Sequence, residues 1–276
     1  MFDGYIIPLD QWVSSFVEWL VDNYREFFQM LKWPVEYMLN GFDHMLNAVH
    51  PAIIIVLVCL AAWKFSGKRL ALFSLASMLL VGFLGLWPDT MTTLAMVLSS
   101  VVICTIFGVP LGIMSGRSDR FEAALRPVLD AMQTTPAFVY LVPIVMLFSV
   151  GNVAGVLATI IFALPPIIRL TNLGIRGVHP ELVEAALAFG ATRRQVLFKV
   201  QIPLAMPTIL AGLNQTIMMA LSMVVIAALI GAGGLGSPVI LGLNTLDIGR
   251  AVVGGLGIVL MAIVLDRITQ SMAQKK

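Results

Sequence analysis

The chain has 276 residues, of which 59% are hydrophobic and only 12% charged, and its mean hydropathy is +0.96. A water-facing globular surface takes about 25% charged residues, so a soluble enzyme and a disordered chain are both excluded and an integral membrane protein remains. The balance of 17 Lys and Arg against 15 Asp and Glu, net +2 with three His neutral, offers no footing for nucleic acid.

The chain opens Met1-Phe2-Asp3-Gly4, without the basic region of a cleaved signal peptide, so the spans are expected to direct insertion themselves. Leu9, Trp12, Val13, Phe16, Val17, Leu20, Tyr24, Phe27, Phe28 and Leu31 then recur at helical spacing. Asp10, Gln11, Ser14, Ser15, Glu18, Asp22 and Glu26 fill the opposite face. This pattern predicts an amphipathic helix lying on the bilayer with its aromatic face down, either bracing the spans or docking an external partner. A weaker amphipathic stretch, 34–49, leads to the first span.

A charge at mid-bilayer is costly, so stretches free of Asp, Glu, Lys and Arg mark the segments able to sit in hydrocarbon. They are 44–63, 70–88, 90–116, 131–168, 200–246 and 251–265. One crossing takes about 20 residues. The 131–168 stretch is nearly twice that and carries turn chemistry at Gly151-Asn152, so it reads as a helical hairpin. In 200–246 a span runs to about Gly231, and the glycines and Pro238 beyond it predict an irregular, re-entrant-like segment. The expectation is an all-α membrane protein of about seven transmembrane helices. Segments following the odd-numbered spans hold all the basic residues except Arg25, Lys32 and Arg250, which places the N-terminus outside and the C-terminus in the cytoplasm. Gly108, Gly112 and Gly116 form tandem small-xxx-small spacing, suited to close helix packing. Cys59 and Cys104 lie in apolar runs and read as inert thiols.

The longest cytoplasmic connection, 169–203, carries its own helix signals. Pro180 suits a first helical position, with Glu181 and Glu184 in the early turns. Leu182, Ala185, Ala186 and Phe189 make an apolar stripe, Gly190 is a left-handed stop, and Thr192 with Gln195 forms a capping box for a second helix that Pro203 interrupts. Such a helix is either an ordinary loop helix packed on its own spans or a knob fitting a groove on a cytoplasmic protein.

Glu184-Ala185-Ala186, Gly190 and Ile202-Pro203 resemble the EAA signature of permease subunits of bacterial ABC importers. Gln133-Thr134-Thr135-Pro136-Ala137-Phe138, the Gly231 to Gly236 run, and the segment from Leu246 to Ile268 are similar to glycine betaine/proline betaine importer permeases. The resemblance implies a type I ABC importer permease-like fold. It implies a homodimer served by two separate ATPase subunits and an extracytoplasmic substrate-binding protein, in the bacterial plasma membrane. Glu184, Ala185, Ala186, Phe189, Gly190, Ile202 and Pro203 would couple to the ATPases, which would hold ATP and Mg. Since the chain ends at Lys276, the binding protein is expected as a separate product. On this reading the chain divides into an external segment 1–43, two spans in 44–88, and a permease core 89–276.

Neither a catalytic set nor metal-ligand spacing is present, and this chain itself takes no cofactor. Gly231-Ala-Gly-Gly-Leu-Gly236 satisfies GxGxxG but follows a membrane span rather than a strand, and no GxxxxGK[ST] occurs to cradle ATP phosphates. The sequon at Asn214 lies in a span and is discarded. Candidate pathway residues are Asn214, Gln215, Thr216 and Ser222, with Phe138 and Tyr140 near the hairpin, where an aromatic face would attract a quaternary ammonium. Each could equally be a packing contact. No ionisable residue lies deep in a predicted span, which argues against an ion-coupled carrier. That carrier, a non-transporting anchor or sensor, and an importer for choline, carnitine or methionine are the alternatives.

Overall fold

In a computed structural model of the chain, residues 8–274 are described, and among them every regular element is helical. Residues 1–7, 275 and 276, among them the opening Met1-Phe2-Asp3-Gly4, and the side chains of Leu9, Asp10, Ala273 and Gln274 lie outside this description. The elements are α1 (Leu9–Ala48), α2 (Pro51–Ser66), α3 (Lys68–Phe83), α4 (Trp87–Arg117), α5 (Asp119–Thr134), α6 (Leu141–Phe148), α7 (Asn152–Arg176), α8 (Pro180–Ala188), α9 (Arg193–Val196), α10 (Ile202–Ala227), α11 (Gly236–Thr245) and α12 (Ile248–Gln274).

The core is formed where α4, α7 and α10 meet. Met96, Val97 and Cys104 of α4, Val156, Ala163 and Ile167 of α7, and Ala220, Leu221 and Val224 of α10 are buried together. The tandem glycines of α4 make this possible. A Cβ on Gly108 would strike the Ile167 side chain. One on Gly112 would stand 2.5 Å from Thr171 Cβ and 2.7 Å from the Ile168 carbonyl oxygen, and one on Gly116 would stand 2.9 Å from Ile175 Cβ. Gly212 of α10 does the same against α7, with Leu170 Cβ at 3.0 Å. The expectation of close packing at the 108–116 spacing is met residue by residue.

Among the described residues four helices are long and apolar enough to cross a membrane, or six when two bent pairs are each taken as one span. The seven expected from charge-free stretches therefore come out lower, for identifiable reasons. Helices α2 and α3 have 16 residues each, about 24 Å at 1.5 Å per residue against a core of about 30 Å. The first hairpin arm is not one helix: α5 ends at Thr134, Pro136 intervenes, and the chain turns by 103° into the segment ending at Phe148. The residue before a proline is pushed out of the helical region, and Thr135 is extended at ψ 125°. The turn expected at Gly151-Asn152 is present, with Gly151 at φ +122° and α7 starting at Asn152.

The two amphipathic stretches near the N-terminus join as one 40-residue helix, kinked at Tyr24, so the boundary expected at 43/44 falls inside α1 and the break comes at Val49. Its C-terminal part packs on the bundle through Val35, Leu39 and Phe42, and Phe28 meets Phe148 edge-on at 5.7 Å. Trp12, Phe16, Trp19 and Phe27 stay exposed, and α1 turns by 104° into α2.

The glycine-rich segment after α10 is neither a loop nor a full span. The ten-residue α11 runs antiparallel to α12, since Gly242 abuts Ala251, Gly254 abuts Val239, and Gly257 abuts Leu235. Leu246, at φ +56°, forms the tip of this short hairpin.

Gly112→Ala should destabilise the protein by about 1–3 kcal/mol, because the Ile168 backbone cannot yield. Gly41→Ala, with nothing within 4 Å of the new Cβ, should be neutral or stabilise by up to about 1 kcal/mol. Thermal unfolding in detergent reads both; equal behaviour of the two variants would refute the close-packing account.

Candidate functional site

The segment joining α7 to α10 is built almost entirely from local signals. Pro180 occupies the first turn of α8 and Glu181 lies beside it. The helix closes in a Schellman arrangement. Gly190, at φ +82°, donates its N–H to the Leu187 carbonyl at 2.9 Å, and Ala191 donates to the Ala186 carbonyl at 3.1 Å. Thr192 then caps the next helix: its Oγ1 accepts from the Gln195 N–H at 3.3 Å, and Gln195 Oε1 accepts from the Thr192 N–H at 2.8 Å.

Pro203 does not interrupt the second helix, contrary to expectation. Leu197–Gln201 forms a π-helical turn, and α9, this turn and α10 make one 38-residue rod, Arg193–Ile230. Proline removes one donor and crowds the carbonyl four residues back; a wider turn just before it relieves both.

No residue of α8 is buried. Leu182 and Leu187 are exposed and Phe189 is 92% exposed, so this helix is not packed away on its own spans. Glu184 and Ala185 are exposed and Ala186 is half-buried, and Glu184 has no ion-pair partner among the described residues. Phe198 is exposed beside them with the Arg194 guanidinium 5.9 Å from its ring centroid. The base of the projection is firm: Ile175, Leu197, Ala205 and Ile209 pack together, with Ile202 against them. The knob thus rests on the ends of both α7 and α10.

A polar network on α5 extends from the same end. Arg176 reaches Asp119 at 2.7 Å and Glu122 at 2.9 Å, donates to the Ser115 carbonyl at 2.9 Å, and donates through Nε to Asn172 Oδ1 at 2.9 Å. Asn172 donates to Glu122 at 3.0 Å, and Arg169 pairs with Asp130 at 2.6 Å. Ser115, Glu122, Arg169, Asn172 and Arg176 line a cleft of about 230 Å³ together with Arg126. Sequence reasoning missed this network. Its trace was present, in Arg169, Asn172 and Arg176 at three- and four-residue spacing opposite three acidic positions on an amphipathic helix.

The six pathway candidates separate. Gln215 and Ser222 share a cleft of about 300 Å³ with Gln133, Phe162, Met218 and Met219. Tyr140 packs beside Met223 and donates its hydroxyl to the Met132 carbonyl at 2.7 Å, while Phe138 is exposed next to it. Thr216 is fully buried, so it lines no open surface. Asn214 turns to α12: its Nδ2 donates to Asp266 at 2.9 Å, its Oδ1 accepts from the Thr269 hydroxyl, and Gln270 donates to the same carboxylate at 2.8 Å. Asp266 thus lies on a membrane-length helix, one residue beyond the charge-free stretch that marked the last span.

At the opposite end, the Gly231 to Gly236 run is held by side chains. Gly233 donates to Asn152 Oδ1 at 2.6 Å, Leu235 donates to Thr93 Oγ1 at 2.8 Å, and Gly151 donates to the Ile230 carbonyl at 3.1 Å. The Gly233 and Leu235 N–H groups are thus occupied within the fold.

Residues 108–276 match the family described as the binding-protein-dependent transport system inner membrane component. The glycine betaine/proline betaine transport system permease protein ProW of Escherichia coli (strain K12) is 54% identical over 99% of this chain and 77% of its own length. The glycine betaine transport system permease protein OpuAB of Bacillus subtilis (strain 168) is 46% identical over 98% of this chain and 96% of its own. Among solved structures, a chain of an amino acid ABC transporter superposes with a TM-score of 0.60 at 22% identity, over 73% of this chain and 98% of its own.

A double-mutant cycle tests the α10–α12 contact. Asn214→Leu and Asp266→Leu should each destabilise, and the pair should show a coupling energy of about 0.5–2 kcal/mol. Strict additivity in unfolding from detergent would show that the contact contributes nothing.

Proposed function

Since the chain belongs to the family of inner-membrane components of binding-protein-dependent transport systems, we infer that it is the permease subunit of an ATP-driven importer of glycine betaine, proline betaine and related small zwitterions. The observation that carries the mechanism is the α8–Gly190 knob. It projects with no buried residue, yet its two ends are the ends of α7 and α10.

On this reading two ATPase subunits, which hold ATP and Mg, clasp the knobs of two permease copies. The apolar patch of Leu182, Leu187 and Phe189 is covered by the ATPase, and the small Ala185 and Ala186 let the surfaces approach closely. The left-handed turn at Gly190 keeps α8 at a set angle to α9, so a push on α8 is delivered to α10 as a rotation or tilt. Gln215 and Ser222 ride on α10, so the same movement re-aims them. In a pair of copies their cleft faces its counterpart and forms the passage. A betaine carries a quaternary ammonium and a carboxylate; Phe162, Tyr140 and Phe138 offer aromatic faces to the first, and the amides of Gln133 and Gln215 offer N–H groups to the second. A passage without fixed charge lets the solute go, leaving selection to an extracytoplasmic binding protein that docks at the α11–α12 end.

Asp266 favours a second reading, an ion-coupled carrier, because a carboxylate among spans is the usual proton relay. Its acceptor positions are taken by Asn214 and Gln270, which suits a structural brace better.

Liposomes containing the chain, its ATPase and its binding protein, supplied with labelled glycine betaine, separate the two. Uptake should require ATP and survive collapse of the proton gradient; the reverse would establish the carrier. Gly190→Val places a β-branched residue where a left-handed backbone costs about 1–2 kcal/mol, and it should lower uptake at least tenfold while ATPase activity continues. A membrane-impermeant thiol reagent should label Arg193→Cys in inside-out vesicles and not in intact cells; labelling in intact cells would reverse the orientation.

A further inference from the structure

The α2–α3 hairpin has a feature that transport does not use. Both helices are apolar over most of their surface, and the side away from α4 and α12 holds an open groove of about 500 Å³. Val56, Cys59 and Trp63 of α2 and Leu72 and Leu75 of α3 line it, and Lys68 closes one end. From Ile55 to Trp63 the groove follows α2 for about 12 Å at 1.5 Å per residue, most of one leaflet of a hydrocarbon core about 30 Å thick. Its closed end is basic. Lys68 and Arg69, at the start of α3, are exposed and have no hydrogen-bond or ion-pair partner among the described residues. Acidic side chains are absent from the first turn of α3. Trp63 stands at the same end, a position where an indole marks the boundary between hydrocarbon and headgroups.

We propose that this groove is a binding site for an anionic phospholipid, with one acyl chain along Cys59 and Leu72 and the phosphate on Lys68 and Arg69. The charge complementarity selects the occupant. A neutral chain would be served by the apolar walls alone, whereas two unpaired cations at the mouth favour a negative headgroup. A second copy of the hairpin fits poorly, because a two-fold contact through this groove would bring both copies' Lys68 and Arg69 together. The inference stands apart from the transport reading, since it concerns a face that carries neither the knob nor the Gln215 cleft.

The test uses the full chain in phosphatidylcholine vesicles with a trace of phosphatidylglycerol or phosphatidylcholine carrying a photoreactive acyl chain. Phosphatidylglycerol should label the 55–75 segment at least fivefold more than phosphatidylcholine. Lys68→Gln with Arg69→Gln, both exposed and so harmless to folding, should bring the two lipids to within twofold, as expected when two contributions near a charged surface are lost. Leu72→Trp, which fills the groove, should lower labelling by both lipids while leaving the thermal midpoint within a few degrees. Equal labelling of the parent chain by both lipids would overturn the site, as would a preference that survives the double substitution or labelling unaffected by Leu72→Trp. Efficient Cys59-to-Cys59 coupling between copies by a short bifunctional thiol reagent would instead identify the occupant as a second chain.

Discussion

Backbone can meet backbone only where no side chain stands between, and the rest of this molecule depends on that condition. Along α4 it is satisfied at every fourth residue from Gly108 to Gly116, each aligned with a branched or bulky partner on α7, and Gly212 repeats it between α10 and α7. In a bilayer the surrounding acyl chains are as apolar as the helices, so burial of apolar surface does not drive the helices together; close dispersion contact does. A rigid three-helix block results.

Rigidity at the block gives the exposed element its mechanical meaning. Helix α8 touches little, yet the chain before it comes from α7 and the chain after it continues through α9 into α10, two helices in close contact through Gly212 and Gly174. In the importer reading, a force on a small free helix is therefore not dissipated in a loop. The Schellman close at Gly190 and the capping box at Thr192 leave almost no slack between the two arms. The Arg176 network ties the amphipathic α5 to the same end of the block. The π turn ahead of Pro203 lies between the knob and the α10 shaft, and a widened turn is a natural place for a helix to bend.

Much of this could be read from the chain alone, and the misreadings are equally instructive. The α8 start, the glycine stop, the capping box and the small-residue stripe were all legible, because each depends on residues within one or two turns of each other. Span counting was less secure. A stretch without charge shows that a segment tolerates hydrocarbon, not that it is one straight helix, and Pro136 divides one such stretch into two directions. Pro203 was read as a stop because the penalty for proline assumes the regular α-helical register, which the π turn changes.

The all-helical membrane class and the helix, glycine turn and capped helix of the α8 segment were thus settled by the amino-acid sequence, through local backbone preference and the cost of charge in lipid; that α8 projects rather than packs on its own spans was not. Only the tertiary structure decided which way each side chain of α10 looks. Asn214, Gln215 and Thr216 are consecutive and all polar, yet one braces α12, one opens on the cleft and one is sealed in the bundle. Successive residues on a helix point about 100° apart, and which of those directions is occupied depends on neighbours distant in the chain.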